Sequence, residues 1–244
     1  MVVKIKLFPD RSVKMKPDNG KQARRRVVVT GMGVVSPNGI GAEALARRRV
    51  VVTGIGVVSP NGIGAEAFWR ATRAGVSGVD TITLFDPASL SCQIAGEVKD
   101  FKPEEYLAPK ELKRVGRAVP LAIGAAREAL RCARVEVEAM TLEERRSWGV
   151  ILGSGGGVPD FTEEQYRLYF SAQTRKLSAY NISSSTIGTL SSELSLCFDL
   201  KGASHVISNG CTSSSDAVGY AFNLIRFGLA DHLVSGGVDA TITP

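Results

Sequence analysis

Short runs of apolar residues alternate along the chain with segments of helical periodicity. Four of the runs are rich in β-branched residues and are ended by glycine or polar residues, as is typical of buried strands. They are residues 50–53, 149–152, 205–208 and 233–236. Strands interspersed with helices predict an α/β fold, a mixed β-sheet covered by helices.

The helical periodicity is clearest over residues 107–134 and 212–227. In the first of these segments, the apolar side chains of one predicted buried face are Leu112, Val115, Val119, Ile123, Ala126 and Leu130. Pro120 lacks the N–H that a residue inside a helix donates, so we expect it to kink the segment or divide it in two. Shorter helices are predicted over 161–170 and 185–198.

A repeat precedes the first of these helices. Residues 23–44 and 46–67 match at every position except Met32, which is Ile55 in the second copy. Two copies are too few for a solenoid, which needs about three repeats to bury its faces. The second copy runs directly into an amphipathic helical segment, so we assign the first strand to it. We therefore expect residues 1–46 to be a weakly ordered basic tail with a surplus repeat, and residues 47–244 to be the domain.

The charge of the chain lies mainly in that tail. The 244 residues carry a net charge of +6, but residues 1–26 contain nine Lys or Arg against two Asp, which leaves the remainder at −1. A nearly neutral body argues against a nucleic-acid-binding fold. No apolar run approaches the roughly 18 residues that span a bilayer, and no secretory signal is found. We expect no membrane association.

The four cysteines indicate neither a zinc site nor a disulfide framework. Cys92, Cys132, Cys197 and Cys211 have no CxxC spacing and no nearby histidine cluster. Free cysteines suit a reducing compartment, so we expect a cytoplasmic protein.

Cys211 occupies the most informative position in the sequence. It lies between the predicted strand 205–208 and the predicted helix 212–227. Unpaired N–H groups and the positive end of the helix dipole favour a thiolate there, so Cys211 is a candidate nucleophile. The alternative is a small buried residue that merely precedes a helix.

Two glycine clusters are candidate nucleotide sites. Gly54-Ile-Gly-Val-Val-Ser and Gly153-Ser-Gly-Gly-Gly-Val both lack the third glycine of the dinucleotide fingerprint, and neither carries the P-loop Lys-Ser/Thr. We favour close backbone packing at the first cluster and a pocket wall at the second.

The residues around Cys211 resemble the β-ketoacyl-acyl-carrier-protein synthases, condensing enzymes of the thiolase superfamily. The resemblance covers roughly residues 48–244. Its segments are 50–64, 95–98, 151–155, 209–214, 217–221, 225–231 and 235–244, the fourth of which reads Asn-Gly-Cys-Thr-Ser-Ser.

The resemblance implies a thiolase-like half-fold and an acyltransferase that extends an acyl chain by decarboxylative Claisen condensation. Cys211 would be the nucleophile, with its backbone N–H as half of an oxyanion hole. Gly155, Gly156 and Gly210 would lie at the acyl pocket, where Gly156 replaces a bulky gatekeeper and leaves room for longer chains. No metal or bound cofactor is implied, because the substrates are carried on the phosphopantetheine of an acyl carrier protein.

The resemblance also implies partners. A basic patch of Lys110, Lys113, Arg114 and Arg117 would dock the acidic carrier protein, although a solvated helix face is the simpler interpretation. The family forms homodimers.

The histidines limit what this chain is expected to do alone. The family's two catalytic histidines belong to the second half of its fold, and neither His205 nor His232 matches them. We therefore expect the chain to be inactive in condensation on its own. The alternatives are a non-condensing acyl-transfer or partner subunit of a fatty acid or polyketide synthase, and a nucleotide binder.

Overall fold

The computed structural model describes residues 49–244 and the backbone of residues 2–8, 35–36 and 39–40. The main strands are β1 (Val2–Phe8), β4 (Arg49–Gly56), β9 (Trp148–Gly153), β10 (Ser204–Ile207) and β11 (His232–Gly237). The two-residue strands are β2 (Val35–Ser36), β3 (Gly39–Ile40), β5 (Val58–Ser59), β6 (Gly62–Ile63), β7 (Asp80–Thr81) and β8 (Ile94–Ala95).

Eight α-helices lie within the described part of the chain. They are α1 (Ala65–Arg73), α2 (Pro109–Leu112), α3 (Ala118–Cys132), α4 (Leu142–Arg146), α5 (Pro159–Phe170), α6 (Asn181–Ser185), α7 (Thr189–Cys197) and α8 (Ser213–Arg226). None of the helices described is both long and apolar enough to cross a membrane.

The five main strands form one mixed sheet in the order β10-β9-β11-β1-β4. Strands β9, β10 and β11 run parallel, whereas β1 is antiparallel to both of its neighbours. The four strands predicted from the sequence are confirmed, each within a few residues of its predicted ends. The mixed sheet covered by helices is the predicted fold class.

Strand β1 differs from the expectation for the tail. Residues 50–53 were expected to be the first strand, yet Val2–Phe8 pairs with β11 on one side and with β4 on the other. The weak order expected of residues 1–46 stays a prediction. The difference arises because strand pairing is non-local, and sequence pattern alone does not show which edge a remote segment joins. Apart from β2 and β3, the remainder of the first copy lies outside the described residues.

The two copies of the repeat share one short feature. Val35 pairs with Ile40 in the first copy, and Val58 pairs with Ile63 in the second, so the two hairpins have the same register. Identical local sequence therefore gives the same local turn in both copies.

Side chains of β9 alternate between two apolar layers. Val150 and Leu152 pack in a cluster with helices α3 and α7, whereas Ile151 packs against α8. Successive side chains of a strand point to opposite faces, so helices cover both faces of the sheet here. The predicted buried face of α3 is confirmed, with Val119, Ile123 and Ala126 inaccessible to solvent.

Pro120 does not divide the predicted helical segment. The segment 107–134 contains the separate helices α2 and α3, and Pro120 is the third residue of α3. The first turn of a helix has no intrahelical acceptor for its N–H groups, so proline is tolerated there. The break between the two helices lies before Ala118 rather than at the proline.

Glu97 fastens the segment between β7 and α2. Its carboxylate accepts hydrogen bonds from the Thr83 amide (2.8 Å), the Thr83 hydroxyl (2.6 Å) and the Leu84 amide (3.0 Å). Burial alone would raise the pKa of Glu97, but these hydrogen bonds and nearby Lys99 outweigh it and hold the pKa below its usual value.

Candidate active site

Cys211 lies on an exposed turn where strand β10 leads into helix α8. A 3-10 turn over Gly210–Thr212 connects the two, and α8 begins at Ser213. Cys211 is exposed. The strand-turn-helix position predicted for this cysteine is therefore confirmed, and the alternative of a buried cysteine is wrong.

Hydrogen bonds brace this turn from within. The hydroxyl of Ser213 donates to the carbonyl of Gly210 (2.6 Å) and accepts from the amide of Asn209 (3.0 Å). The carboxylate of Asp216 accepts from the side-chain amide of Asn209 and from the hydroxyl of Thr212. These bonds connect the residues on both sides of Cys211 to the first turn of α8.

Gly210 is required for its backbone conformation. Its φ is +82°, in the left-handed region that favours glycine, while a Cβ at this position would meet no atom within 4 Å. The absence of a side chain therefore serves the turn and also leaves the space beside Cys211 open.

Glycines at the ends of β9 and β11 let α8 begin directly above the sheet. A Cβ on Gly153 would lie 2.2 Å from the Ser213 carbonyl, and one on Gly237 would lie 2.4 Å from the Ser214 Cβ. Any side chain at these positions would push the first turn of α8 away. The glycine-rich motif thus places the Cys211 turn close to the carboxyl ends of the parallel strands.

The loop after β9 separates the predicted pocket glycines. Gly155 adjoins Gly210, whose carbonyl oxygen lies 3.0 Å from the position of an added Cβ. A Cβ on Gly156 would instead lie 2.1 Å from the Thr241 methyl. The room expected beside Gly156 is therefore occupied by Thr241, and an acyl-pocket role remains a prediction for all three glycines.

The four predicted docking residues divide into two pairs. Lys110 and Lys113 are exposed. Arg114 forms an ion pair with Glu193, whose side chain is only 9% exposed. Arg117 lies 3.5 Å from the Asp160 carboxylate and donates to the Ile242 carbonyl. The two arginines thus have partners within the chain, and carrier docking remains a prediction.

The histidines lie in unrelated places. His205 is exposed on the edge strand β10, beside the Tyr220 ring at 6.2 Å. His232 was expected to be a surface residue, but it is half-buried and stacks on Trp148 at 4.7 Å, because β11 begins at this residue. Within the described residues, no group of three His, Cys, Asp or Glu side chains is arranged to hold a metal ion.

Sequence reasoning missed the acid beside the glycine loop. Asp239 accepts hydrogen bonds from the hydroxyl of Ser154 (2.8 Å) and from the amides of Gly155 (3.1 Å) and Gly156 (2.8 Å). The sequence offered one indication of this contact: an acid two residues after strand β11, together with a glycine-rich loop whose N–H groups need acceptors. Ser213 and Asp216 were not predicted to brace the turn either, because both lie in the first turn of α8, where such residues are common.

Comparison with known proteins identifies the family. The family model described as "Beta-ketoacyl synthase, N-terminal domain" matches residues 47–244. The chain belongs to the β-ketoacyl synthase family. This confirms the resemblance inferred from the residues around Cys211.

Curated relatives of the chain carry two kinds of name. It is 36% identical over 222 residues to the 3-oxoacyl-[acyl-carrier-protein] synthase 2 of Coxiella burnetii, which covers 91% of this chain and 47% of that protein. It is 37% identical over 231 residues to the tetracenomycin polyketide synthase ketoacyl synthase alpha subunit of Streptomyces glaucescens, which covers 92% and 48%. The chain thus spans about half the length of these relatives.

A solved structure extends the similarity to the fold. The ishigamide ketosynthase/chain length factor superposes with a TM-score of 0.71 at 27% identity, which covers 78% of this chain and 47% of that one. The thiolase-like half-fold predicted from the sequence is confirmed.

Proposed function

We propose that this synthase chain accepts an acyl group on Cys211 from the thioester of an acyl carrier protein. The Cys211 thiolate attacks the thioester carbonyl, a new thioester forms on Cys211, and the carrier leaves as its thiol after taking up a proton. A complete enzyme then adds the enolate formed when malonyl carrier loses CO2, which gives a 3-ketoacyl carrier and frees the cysteine. The substrates bring the phosphopantetheine, so no bound cofactor is required.

The position of Cys211 is the observation that carries the proposal. The residue is exposed, lies in the turn that opens α8, and is flanked by the braced residues Asn209 and Thr212. Gly210 and Gly155 put no side chain between the cysteine and an incoming thioester. A thioester at the end of a carrier-bound phosphopantetheine can reach a nucleophile that is accessible in this way.

The exposed lysines support an acidic carrier as the acyl donor. Lys110 and Lys113 present their charge to solvent at the end of α2, without ion-pair partners among the described residues. Such charges speed association with an acidic protein and add modest affinity. Arg114 and Arg117 also belong to the proposed docking surface, but their ion pairs within the chain hold the helix in place rather than leave their charge free for the carrier.

We propose that acyl transfer, and not condensation, is what this chain performs on its own. Decarboxylation of a malonyl thioester needs groups that stabilise the enolate. His205 and His232 lie on β10 and at the start of β11, and neither adjoins the Cys211 turn along the chain. The homodimer of the family and a cytoplasmic location are further proposals, the first open to measurement by light scattering.

The test uses all four cysteines of the chain. Cys92, Cys132 and Cys211 are exposed, so the first two act as internal controls for simple accessibility. Burial raises the pKa of the Cys197 thiol, so Cys197 is expected to react more slowly. The chain is incubated with octanoyl carrier protein, and the acylated peptide is identified by mass spectrometry. We expect one acyl group, on Cys211, and none on a Cys211→Ala variant. Acyl groups spread evenly over the four cysteines, or absent from Cys211, would refute the proposal.

The same experiment addresses the alternative functions. Adding malonyl carrier protein to the acylated chain should give no 3-ketoacyl product, while Cys211 stays acylated. Formation of that product would show that the chain condenses by itself. Co-purification with a complete synthase, with no acylation of Cys211, would identify a partner subunit instead.

A further inference from the structure

We infer that Asp239 is a positioning residue, which holds the glycine loop after β9 against the Cys211 turn. The inference deepens the proposed function and rests on it. Asp239 follows β11 by two residues and lies 85 positions from the serine that it binds. It belongs to segment 235–244 of the family resemblance, which gives this residue no role.

The carboxylate of Asp239 accepts hydrogen bonds from three donors of the loop. Its Oδ1 accepts from the hydroxyl of Ser154 and from the amides of Gly155 and Gly156, at 2.8, 3.1 and 2.8 Å. Its Oδ2 lies 3.3 Å from the Gly155 amide. Successive backbone N–H groups that converge in this way form a nest, which favours an anion.

Ser154 extends the hold to the end of the loop. Its side chain is fully buried, and its hydroxyl accepts from the amide of Gly157 (2.9 Å) while it donates to Asp239. A single carboxylate therefore fixes four consecutive residues, either directly or through one hydroxyl. Hydrogen bonds to a charged acceptor are stronger than neutral ones.

The fixed loop is the wall beside the nucleophile. Gly155 adjoins Gly210, the residue before Cys211. The amide of Val238 donates to the carbonyl of Gly153 (3.1 Å), so the residue before Asp239 is bonded to the start of the loop. The Cys211 turn keeps its own internal bonds through Ser213. Loss of Asp239 should therefore free the wall while the cysteine stays where it is.

The test compares short and long probes at Cys211. N-ethylmaleimide and N-octylmaleimide both alkylate an accessible thiol, but only the octyl chain is long enough to pack against the loop. In the parent protein, we expect the octyl-to-ethyl rate ratio to be about tenfold higher at Cys211 than at the exposed Cys92, since burying about 55 Å² of the octyl chain against the loop would gain roughly this factor. The probes need no acyl carrier, so failure of the proposed function leaves this measurement intact.

Asp239→Ala should lower the ratio at Cys211 to that at Cys92, while the ethylmaleimide rate changes less than about twofold. Asp239→Asn keeps an acceptor at the Oδ1 position and should restore at least half of the ratio. Ser154→Ala, which breaks the connection to Gly157 with almost no change in volume, should give an intermediate ratio. Ser154→Ala also provides the test if Asp239→Ala fails to fold.

Asp231→Asn is the matched control, because Asp231 precedes β11 as Asp239 follows it and it lies at the opposite end of that strand. It should leave the ratio unchanged. Amide hydrogen exchange of residues 153–157 completes the test, with exchange about tenfold faster expected only in the Asp239 and Ser154 variants. Faster exchange with an unchanged ratio would reduce Asp239 to a purely structural residue. Unchanged exchange would show that it does not hold the loop.

In the acyl-transfer assay, Asp239→Ala should slow acylation of Cys211 by about tenfold to a hundredfold, as expected when a reacting group loses its placement. Asp239→Asn should recover most of that loss. An acyl-transfer rate that Asp239→Ala leaves unchanged would overturn the inference, even if the maleimide ratio falls.

Discussion

Replacing Gly56 by alanine should force helix α3 away from strand β4. A Cβ at residue 56 would lie 1.9 Å from the Ala125 carbonyl oxygen, and one at Gly54 would lie 2.1 Å from the Ala129 carbonyl oxygen. Ala125 and Ala129 are both buried. The obstructing atoms belong to the helix backbone, so no change of rotamer can relieve the contact.

The size of the effect follows from the displacement required. Real Cβ contacts rarely fall below 3.0 Å, so the Ala125 carbonyl would have to withdraw by about 1.1 Å. Overpacking of this kind costs about 1–3 kcal/mol in a close-packed interior, and we take the upper end because the whole helix must move. For a domain of this size, about 3 kcal/mol corresponds to a fall in Tm of about 6–12 °C.

The assay is thermal and urea unfolding followed by circular dichroism. Gly219→Ala is the matched control, because Gly219 lies inside α8 and an added Cβ would meet no atom within 4 Å. It should stabilise the chain by about 0.5–1 kcal/mol through helix propensity. If the free energy of unfolding of Gly56→Ala lies within 1 kcal/mol of that of the parent, the close packing of α3 on β4 is absent. Close packing would then no longer explain Gly54 and Gly56, and a nucleotide site would again be an alternative for this cluster.

Further predictions concern the tail, the docking surface and the response to pH. Deleting residues 24–46 removes one repeat period and should change Tm by less than about 2 °C. Deleting residues 2–8 removes a strand paired on both sides and should cost several kcal/mol, at about 1 kcal/mol for each backbone hydrogen bond. Lys113→Ala should leave Tm unchanged and weaken binding of an acidic carrier about two- to fivefold at low salt, as measured by calorimetry. Arg114→Ala should instead lower stability by about 3 kcal/mol, because it leaves the largely buried carboxylate of its partner unpaired. Because the pKa of Glu97 is lowered by folding, its contribution is complete above its usual pKa of 4.5 and is lost as pH falls below that value. The stability difference between the parent and Glu97→Gln should therefore disappear in acid, and a difference that persists to pH 2 would contradict this account.

Local pattern predicted the strands and helices well, and it failed where remote segments meet. The four buried strands and the apolar face of α3 follow from periodicity. The strand at residues 2–8 alternates Val3, Ile5 and Leu7 with Lys4 and Lys6, a period of two that favours a strand. The basic composition of the tail outweighed this signal. The place of β1 between β11 and β4 could not be predicted, since it depends on pairing over more than 200 residues.

The sequence also predicted the position of Cys211 better than the contacts around it. Cys211 follows from the strand, the glycine and the helix start, which are all local. The occupation of the space beside Gly156 by Thr241, and the capture of the loop by Asp239, join residues more than 80 positions apart. Spacing along the chain carries no information about such contacts.

The glycines near Cys211 connect the fold to the proposed chemistry. Gly153 and Gly237 allow α8 to begin against the sheet, and Gly155 allows the loop to approach the cysteine turn. All three are positions where any side chain would meet the turn or the helix start before it met the apolar core. Substitutions there should therefore displace Cys211 with little loss of core packing, whereas Gly56→Ala should loosen the core and leave the cysteine turn intact. Substitutions at the two groups of glycines should therefore have different effects: one group should mainly change the rate of acyl transfer, and the other should mainly change the free energy of unfolding.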